Sequence, residues 1–223
     1  MFYLDFSGAF ARWGVFMHGG VFTIILAIIA TLLGSLIGVV GAAARMSAFA
    51  PARLAAFGYV EIIRNTPFLI QIYVIYFGLP AVGFRLEPWP AAIIALSLYA
   101  GAYITEIVRA GVGSVAKGQV EAARTLGLSP YLTFRLVILR PALAAVYPAL
   151  TSQFILIMLA SSIVSTISIP ELTGVANDVQ GLTFRSFEAF LLVAAIYLVL
   201  TAAFKGAFAA IDRVAFAFRH VGR

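Results

Sequence analysis

The residues able to do chemistry in this chain fall into four short clusters. The stretch "EAARTLGLSP" (121–130) places Glu121 and Arg124 three apart, the spacing of an ion pair on one helix face. Ala122 and Ala123 favour helix, Gly127 is placed to end it in a left-handed turn, and Ser129-Pro130 marks the stop. Glu106 and Arg109 repeat the pairing distance near the end of an apolar run. Arg64 is followed by Asn65, Thr66 and Pro67, and Glu61 lies three residues before it as a second candidate partner. Ser152, Gln153, Ser161 and Ser162 make one apolar run unusually polar, and Pro148 adds a kink to it. This is chemistry of ion pairing, hydrogen bonding and docking.

A bond-breaking centre is not written here. Cysteine is absent, which removes disulfides, thiolate metal sites and thiol nucleophiles. No Gly-x-x-x-x-Gly-Lys-Ser/Thr occurs, so this chain is not expected to bind ATP through a P-loop. Neither His-Glu-x-x-His nor Gly-x-Ser-x-Gly occurs. His18 and His220 lie far apart and are assigned no metal.

The elements that must position these clusters are set by composition. The chain is 63% hydrophobic and 11% charged, beyond what a soluble core uses. About 20 apolar residues cross the hydrocarbon. Five stretches qualify: about 21–44, 56–77, 89–108, 142–163 and 187–211. The expected class is therefore an all-α polytopic membrane protein with five transmembrane helices. The stretch before the first span lacks a basic leader, so that span is expected to act as its own insertion signal. "GSLIG" (34–38) predicts close helix packing.

Charge sets the expected orientation. With the N-terminus outside, twelve basic and four acidic residues lie inside, a balance of +8; three basic and five acidic lie outside, −2. Lys and Arg mark the cytoplasmic side, so the C-terminus is expected there too. This accounts for the net charge of +6 without nucleic acid. The longest inside loop, about 109–140, then holds the short polar helix. Its Val120, Ala123, Leu126 and Gly127 are expected to share a low apolar side. Two readings of that helix stand open on physics alone: a connector lying on the membrane, or a rod fitted to a groove on a partner. The segment 165–181 is expected outside, as a solvated connector or a contact surface.

The segment at 121–139 resembles the EAA loop of the membrane subunits of bacterial ABC importers: Glu121, Ala122, Ala123, then Gly127, Val137 and Leu139. Arg140 stands where that pattern has Pro, and Pro141 follows one place later. "RNTPFLIQIYVIYFGLP" (64–80), "AYITEIVRAGVGSVAKGQVEAARTLGLS" (102–129) and "TFRSFEAFLLVAAIYLVLT" (183–201) are similar to one branch, the histidine-, glutamine- and arginine-type permeases for polar amino acids. Leu159 replaces a lysine frequent in that branch, which leaves the cargo's charge open.

The resemblance implies a type I importer transmembrane domain over 1–223 in a bacterial inner membrane. It implies that Glu121, Ala122, Ala123, Arg124 and Gly127 dock into a separate ATPase subunit, which binds the ATP and Mg. It also implies a second permease, identical or related, and a periplasmic binding protein that delivers a polar amino acid. Arg64, Asn65, Thr66, Glu106, Ser152, Gln153, Ser161 and Ser162 become candidates for the substrate pathway or gate. For each, a purely structural reading stands beside this one: an ion pair, a packed kink, a helix-to-helix bond. The rival of another class is a secondary transporter driven by an ion gradient. It predicts an inverted repeat and a midplane carboxylate, and neither is apparent.

Overall fold

Small residues decide how closely two long apolar helices approach, and here they decide the centre of the fold. The computed structural model describes residues 3–216; Arg219, His220 and Arg223 lie outside the described residues. The helices are α1 Ser7–Phe10, α2 Trp13–Arg45, α3 Ala50–Arg64, α4 Phe68–Tyr73, α5 Pro88–Gly113, α6 Lys117–Thr125, α7 Pro130–Leu132, α8 Leu139–Ala160, α9 Leu172–Thr183 and α10 Ser186–Ala215. Helix α2 packs most extensively on α5, and α5 on α8. A Cβ built on Gly34 would lie 2.5 Å from Ala100 Cβ, and one on Gly38 2.5 Å from Ile104 Cγ2. The same absence of side chain at Gly41 admits Thr105. Neither helix could sit this close with larger residues at those positions.

Among the described residues, four helices are long and apolar enough to cross a membrane: Trp13–Arg45, Pro88–Gly113, the continuous run Pro130–Ile167, and Ser186–Ala215. A fifth crossing exists only if the pair Ala50–Arg64 and Phe68–Val82, bent by 108°, is one span. The expected second span, 56–77, is thus not one kinked helix. Pro67 lacks an N–H and turns the residue before it away from helix. The break is then closed by side chains. Gln71 Nε2 donates to the carbonyls of Ile63 (2.7 Å) and Thr66 (3.0 Å). Asn65 and Thr66 donate to the carbonyls of Glu61 and Ile62.

The other spans run longer than their apolar cores. Helix α2 begins eight residues before the expected 21, passing through Gly19 and Gly20. Gly19 there is a seat rather than a break: its added Cβ would stand 3.2 Å from the backbone of Leu172. The fourth span starts at Pro130, not 142, because α7 joins α8 through a π-helical turn, Thr133–Ile138. The loop expected at 109–140 is therefore largely helical.

Of the two readings of the segment 165–181, the solvated connector does not hold. The segment contains α9, whose Leu172, Val175, Ala176 and Val179 are buried against Phe16 of α2 and Ala189, Val193 and Ile196 of α10. Glu171, fully buried, caps this helix and ties three elements together. Its Oε1 accepts the Gly174 N–H at 2.8 Å. Its Oε2 accepts the Tyr197 hydroxyl at 2.8 Å and that of Thr23 at 3.4 Å. Burial pushes the Glu171 carboxyl above its ordinary value of 4.5 against these hydrogen bonds.

Two outcomes follow for stability. Gly38→Val should cost about 1–3 kcal/mol by overpacking, read as a lower melting temperature in detergent. Gly58→Ala, where a Cβ meets nothing within 4 Å, should not lower it. A raised carboxyl pKa contributes stability at low pH and loses it as pH rises above the unfolded value. Wild type should therefore lose stability relative to Glu171→Gln as pH rises above the ordinary carboxyl value of 4.5, measured by thermal unfolding from acid to neutral pH. A constant gap would sink the assignment.

Candidate functional site

The first candidate is α6 and the turn that ends it. Gly127 is left-handed, at φ 75°. Its N–H donates to the Arg124 carbonyl at 2.9 Å, and the Leu128 N–H donates to that of Ala123 at 3.1 Å. This double closure is the Schellman arrangement, which needs a residue free of Cβ strain at that position. Ser129 Oγ then accepts the Leu132 N–H at 3.3 Å and starts α7. Four residues, 126–129, separate α6 from α7.

The faces of α6 differ from expectation. Ala123 is buried against the chain itself, while Leu126 is 80% exposed. Val120, Ala123, Leu126 and Gly127 therefore do not present one outward apolar side. Glu121, Ala122, Arg124 and Thr125 are exposed instead. Glu121 and Arg124 form no ion pair in the structure; Glu121 uses its backbone carbonyl to accept the Thr125 hydroxyl at 3.1 Å. In water such a pair is worth a few tenths of a kcal/mol, too little to hold two exposed chains together. Beneath α6 lies a cavity of about 440 Å³ whose lining is mostly apolar and includes Ala123, Leu126, Leu136 and Pro141.

The second candidate is a cavity of about 530 Å³ walled by α5 and α8 and reached by the end of α3. It gathers four of the residues singled out from the sequence: Arg64, Glu106, Ser152 and Gln153. Glu106 accepts from Arg109 Nη2 at 2.6 Å and Nε at 3.0 Å, the expected pair. It also accepts from Arg45 Nε at 3.3 Å, which ties α2 to α5. Arg64 does not pair with Glu61. Its guanidinium stands 5.3 Å from the Tyr103 ring centre, while Glu61 accepts from Asn65 Nδ2 at 2.9 Å. Such a cation over an aromatic face is attracted by the ring quadrupole and keeps its N–H donors free.

Ser152 Oγ donates to the Pro148 carbonyl at 2.9 Å. Gln153 is buried and its Nε2 finds no partner. The remaining candidates lie outside this cavity's lining. Asn65 and Thr66 serve the helix break. Ser161 and Ser162 donate back to the carbonyls of Met158 and Leu159, both at 2.7 Å, in the 3₁₀ turn that prolongs α8. Hydroxyls in apolar helices commonly take this local option.

Three contributors went unread in the sequence. Arg45 closes the first apolar run, and its position at a helix end was its only signal. Tyr103 lies one helical turn before Ile107 on the face of α5 that lines the cavity. Gln71 is a lone amide inside "FLIQIYVIY", the strongest of the three signals.

Comparison with known proteins places this architecture. Residues 30–215 match the family described as the binding-protein-dependent transport system inner membrane component. The chain is 41% identical to the nopaline transport system permease protein of Agrobacterium fabrum, over 80% of this chain and 78% of the relative. It is 37% identical to a probable glutamine ABC transporter permease protein of Bacillus subtilis, over 89% and 92%. The crystal structure of an amino acid ABC transporter superposes with a TM-score of 0.90 at 37% identity, covering 95% of this chain and 99% of that one. These likenesses set aside the ion-gradient alternative: the chain belongs to the inner membrane components of binding-protein-dependent transport systems and is a permease subunit of an ABC importer.

Proposed function

We propose that this permease carries a polar amino acid inward, with α6 as the coupler between a separate ATPase and the membrane helices. One observation carries the reading: α6 is exposed at its polar face and continues, through one Gly127 turn and one π turn, into the helix that walls the cavity. Glu121, Ala122, Ala123, Arg124 and Gly127 are the docking segment. Ala123 seats the helix on its own chain, and the exposed residues meet the partner.

ATP and Mg belong to the partner ATPase; this chain supplies no nucleotide loop. A second permease, identical or related, completes the pathway, and a periplasmic binding protein delivers the cargo. ATP and the loaded binding protein must each favour one of two states of the membrane unit for either to drive it. Arg64, Glu106, Ser152 and Gln153 line the cargo path. Asn65 and Thr66 stabilise the break beside Arg64. Ser161 and Ser162 shape the far end of α8, next to the pathway rather than in it.

The N-terminus is outside, the C-terminus and α6 inside, and the bent pair is the fifth crossing. The absence of cysteine makes this directly measurable. A single cysteine at Thr125 should react with a membrane-impermeant maleimide only in inverted vesicles, and one at Asp178 only in intact cells. The opposite pattern would reverse the topology.

The coupler role has its own test in the assembled importer. Gly127→Val places a branched side chain in a left-handed turn, at about 1–2 kcal/mol. Cargo-stimulated ATP hydrolysis should fall about tenfold while the ATPase still co-purifies. Gly127→Asn, which tolerates that conformation, should retain most of it. Equal hydrolysis in all three proteins would refute the coupler.

A further inference from the structure

The charges around the 530 Å³ cavity do not balance, and the imbalance selects among cargoes. Glu106 is the one carboxylate in its lining. It is already shared by two guanidinium groups, Arg109 at 2.6 Å and Arg45 at 3.3 Å. That cluster keeps one positive charge over. Arg64 adds another: it forms no ion pair among the described residues and is held over Tyr103 with its donors free. Gln153, only 4% exposed, adds an amide whose Nε2 has no acceptor. Ser114 and Ser152 are neutral and already donate to carbonyls. Positive charge and unused donors therefore exceed acceptors in this space.

From this imbalance, and resting on the cargo-path reading above, we infer that the cavity takes amino acids with neutral or acidic side chains and rejects cationic ones. The α-ammonium and α-carboxylate are common to all candidates, so the side chain decides. A carboxylate or amide oxygen finds Arg64 and Gln153. A guanidinium or ammonium finds no free carboxylate among the described residues that line the cavity and meets two like charges. In a partly desolvated site a unit charge a few ångströms from an unscreened like charge is disfavoured by about ten- to a hundredfold in affinity.

The test uses the assembled importer, permease with its ATPase, in lipid nanodiscs without the binding protein, so that only the membrane unit discriminates. All cysteines are removed from the partner, and Ala149, in the cavity wall, is changed to cysteine as a reporter. Protection from a small maleimide is measured with L-glutamine, L-glutamate and L-arginine. The first two should protect, and L-arginine should require at least about tenfold more. Arg64→Glu should invert the order, and Arg64→Gln should narrow the gap. If Arg64→Glu fails to assemble, the wild-type order and Arg64→Gln decide. Protection by L-arginine equal to that by L-glutamine would overturn the charge selection and leave the cargo path standing. Protection by none of the three would overturn the cargo path, and the selection with it.

Discussion

The most extensive helix contact among the described residues, α2 on α5, sets the position of the Arg45–Glu106 pair. Because Gly34, Gly38 and Gly41 carry no side chain, Ala100, Ile104 and Thr105 enter the space beside α2. That approach brings Arg45, at the end of α2, to 3.3 Å from Glu106. It also fixes the rotation of α5, which turns Tyr103 and Glu106 into one cavity and presents the Tyr103 ring to Arg64. A carboxylate in an apolar surrounding is costly unless paired and hydrogen-bonded. Two arginines meet that demand only while the two helices stay close. Packing of the smallest residues is thus what keeps the few charges where they are.

A second constraint is that backbone groups in hydrocarbon must find partners within the protein. The bend and the end of α8 carry their own. The 108° bend is closed by Gln71, Asn65 and Thr66. Pro148 interrupts α8, and beside it the hydroxyls of Thr151 and Ser152 turn back to donate to the Pro148 carbonyl at 2.9 Å rather than standing free in the apolar helix. The end of α8 is closed by Ser161 and Ser162. Most of the polar residues in the apolar runs therefore serve the backbone. Gln153 is a departure, and its donor is left to the cavity.

This explains which features were legible in the sequence. Local signals carried through: the short helix, the left-handed Gly127 and the Glu106–Arg109 pair are set by neighbours within a turn or two, and the small-residue spacing at 34–38 is itself local although the helix it admits is distant. Long-range consequences did not. Pro67 announced a disturbance, but its size depends on Gln71 reaching back across the break. Helix α9 had a readable stripe, Leu172, Val175, Ala176 and Val179 at helical spacing, hidden by the polar residues between them. Glu171 looks in the sequence like one more outside charge, although burial is what defines its role. Glu121 and Arg124 show the converse: correct spacing does not make a pair where water solvates both.

The link from α6 to the cavity wall is mechanical, and its form matters to the proposed coupling. An unbroken α-helix would pass an axial push along its length with little change of angle. The rod from Pro130 to Ile167 is not uniform. It contains a π turn at Thr133–Ile138 and a proline at 148, both places where the regular i→i−4 ladder is interrupted. Ser152 and Gln153 lie within two turns beyond the second interruption. In the proposed coupling, a displacement of α6 would therefore reach them mainly as a bend and a rotation. Rotation of a wall bearing one unpartnered amide changes the hydrogen bonding offered to a bound solute more than it changes the cavity's volume. In the proposed coupling, α6 would therefore act first on affinity and only then on the width of the path.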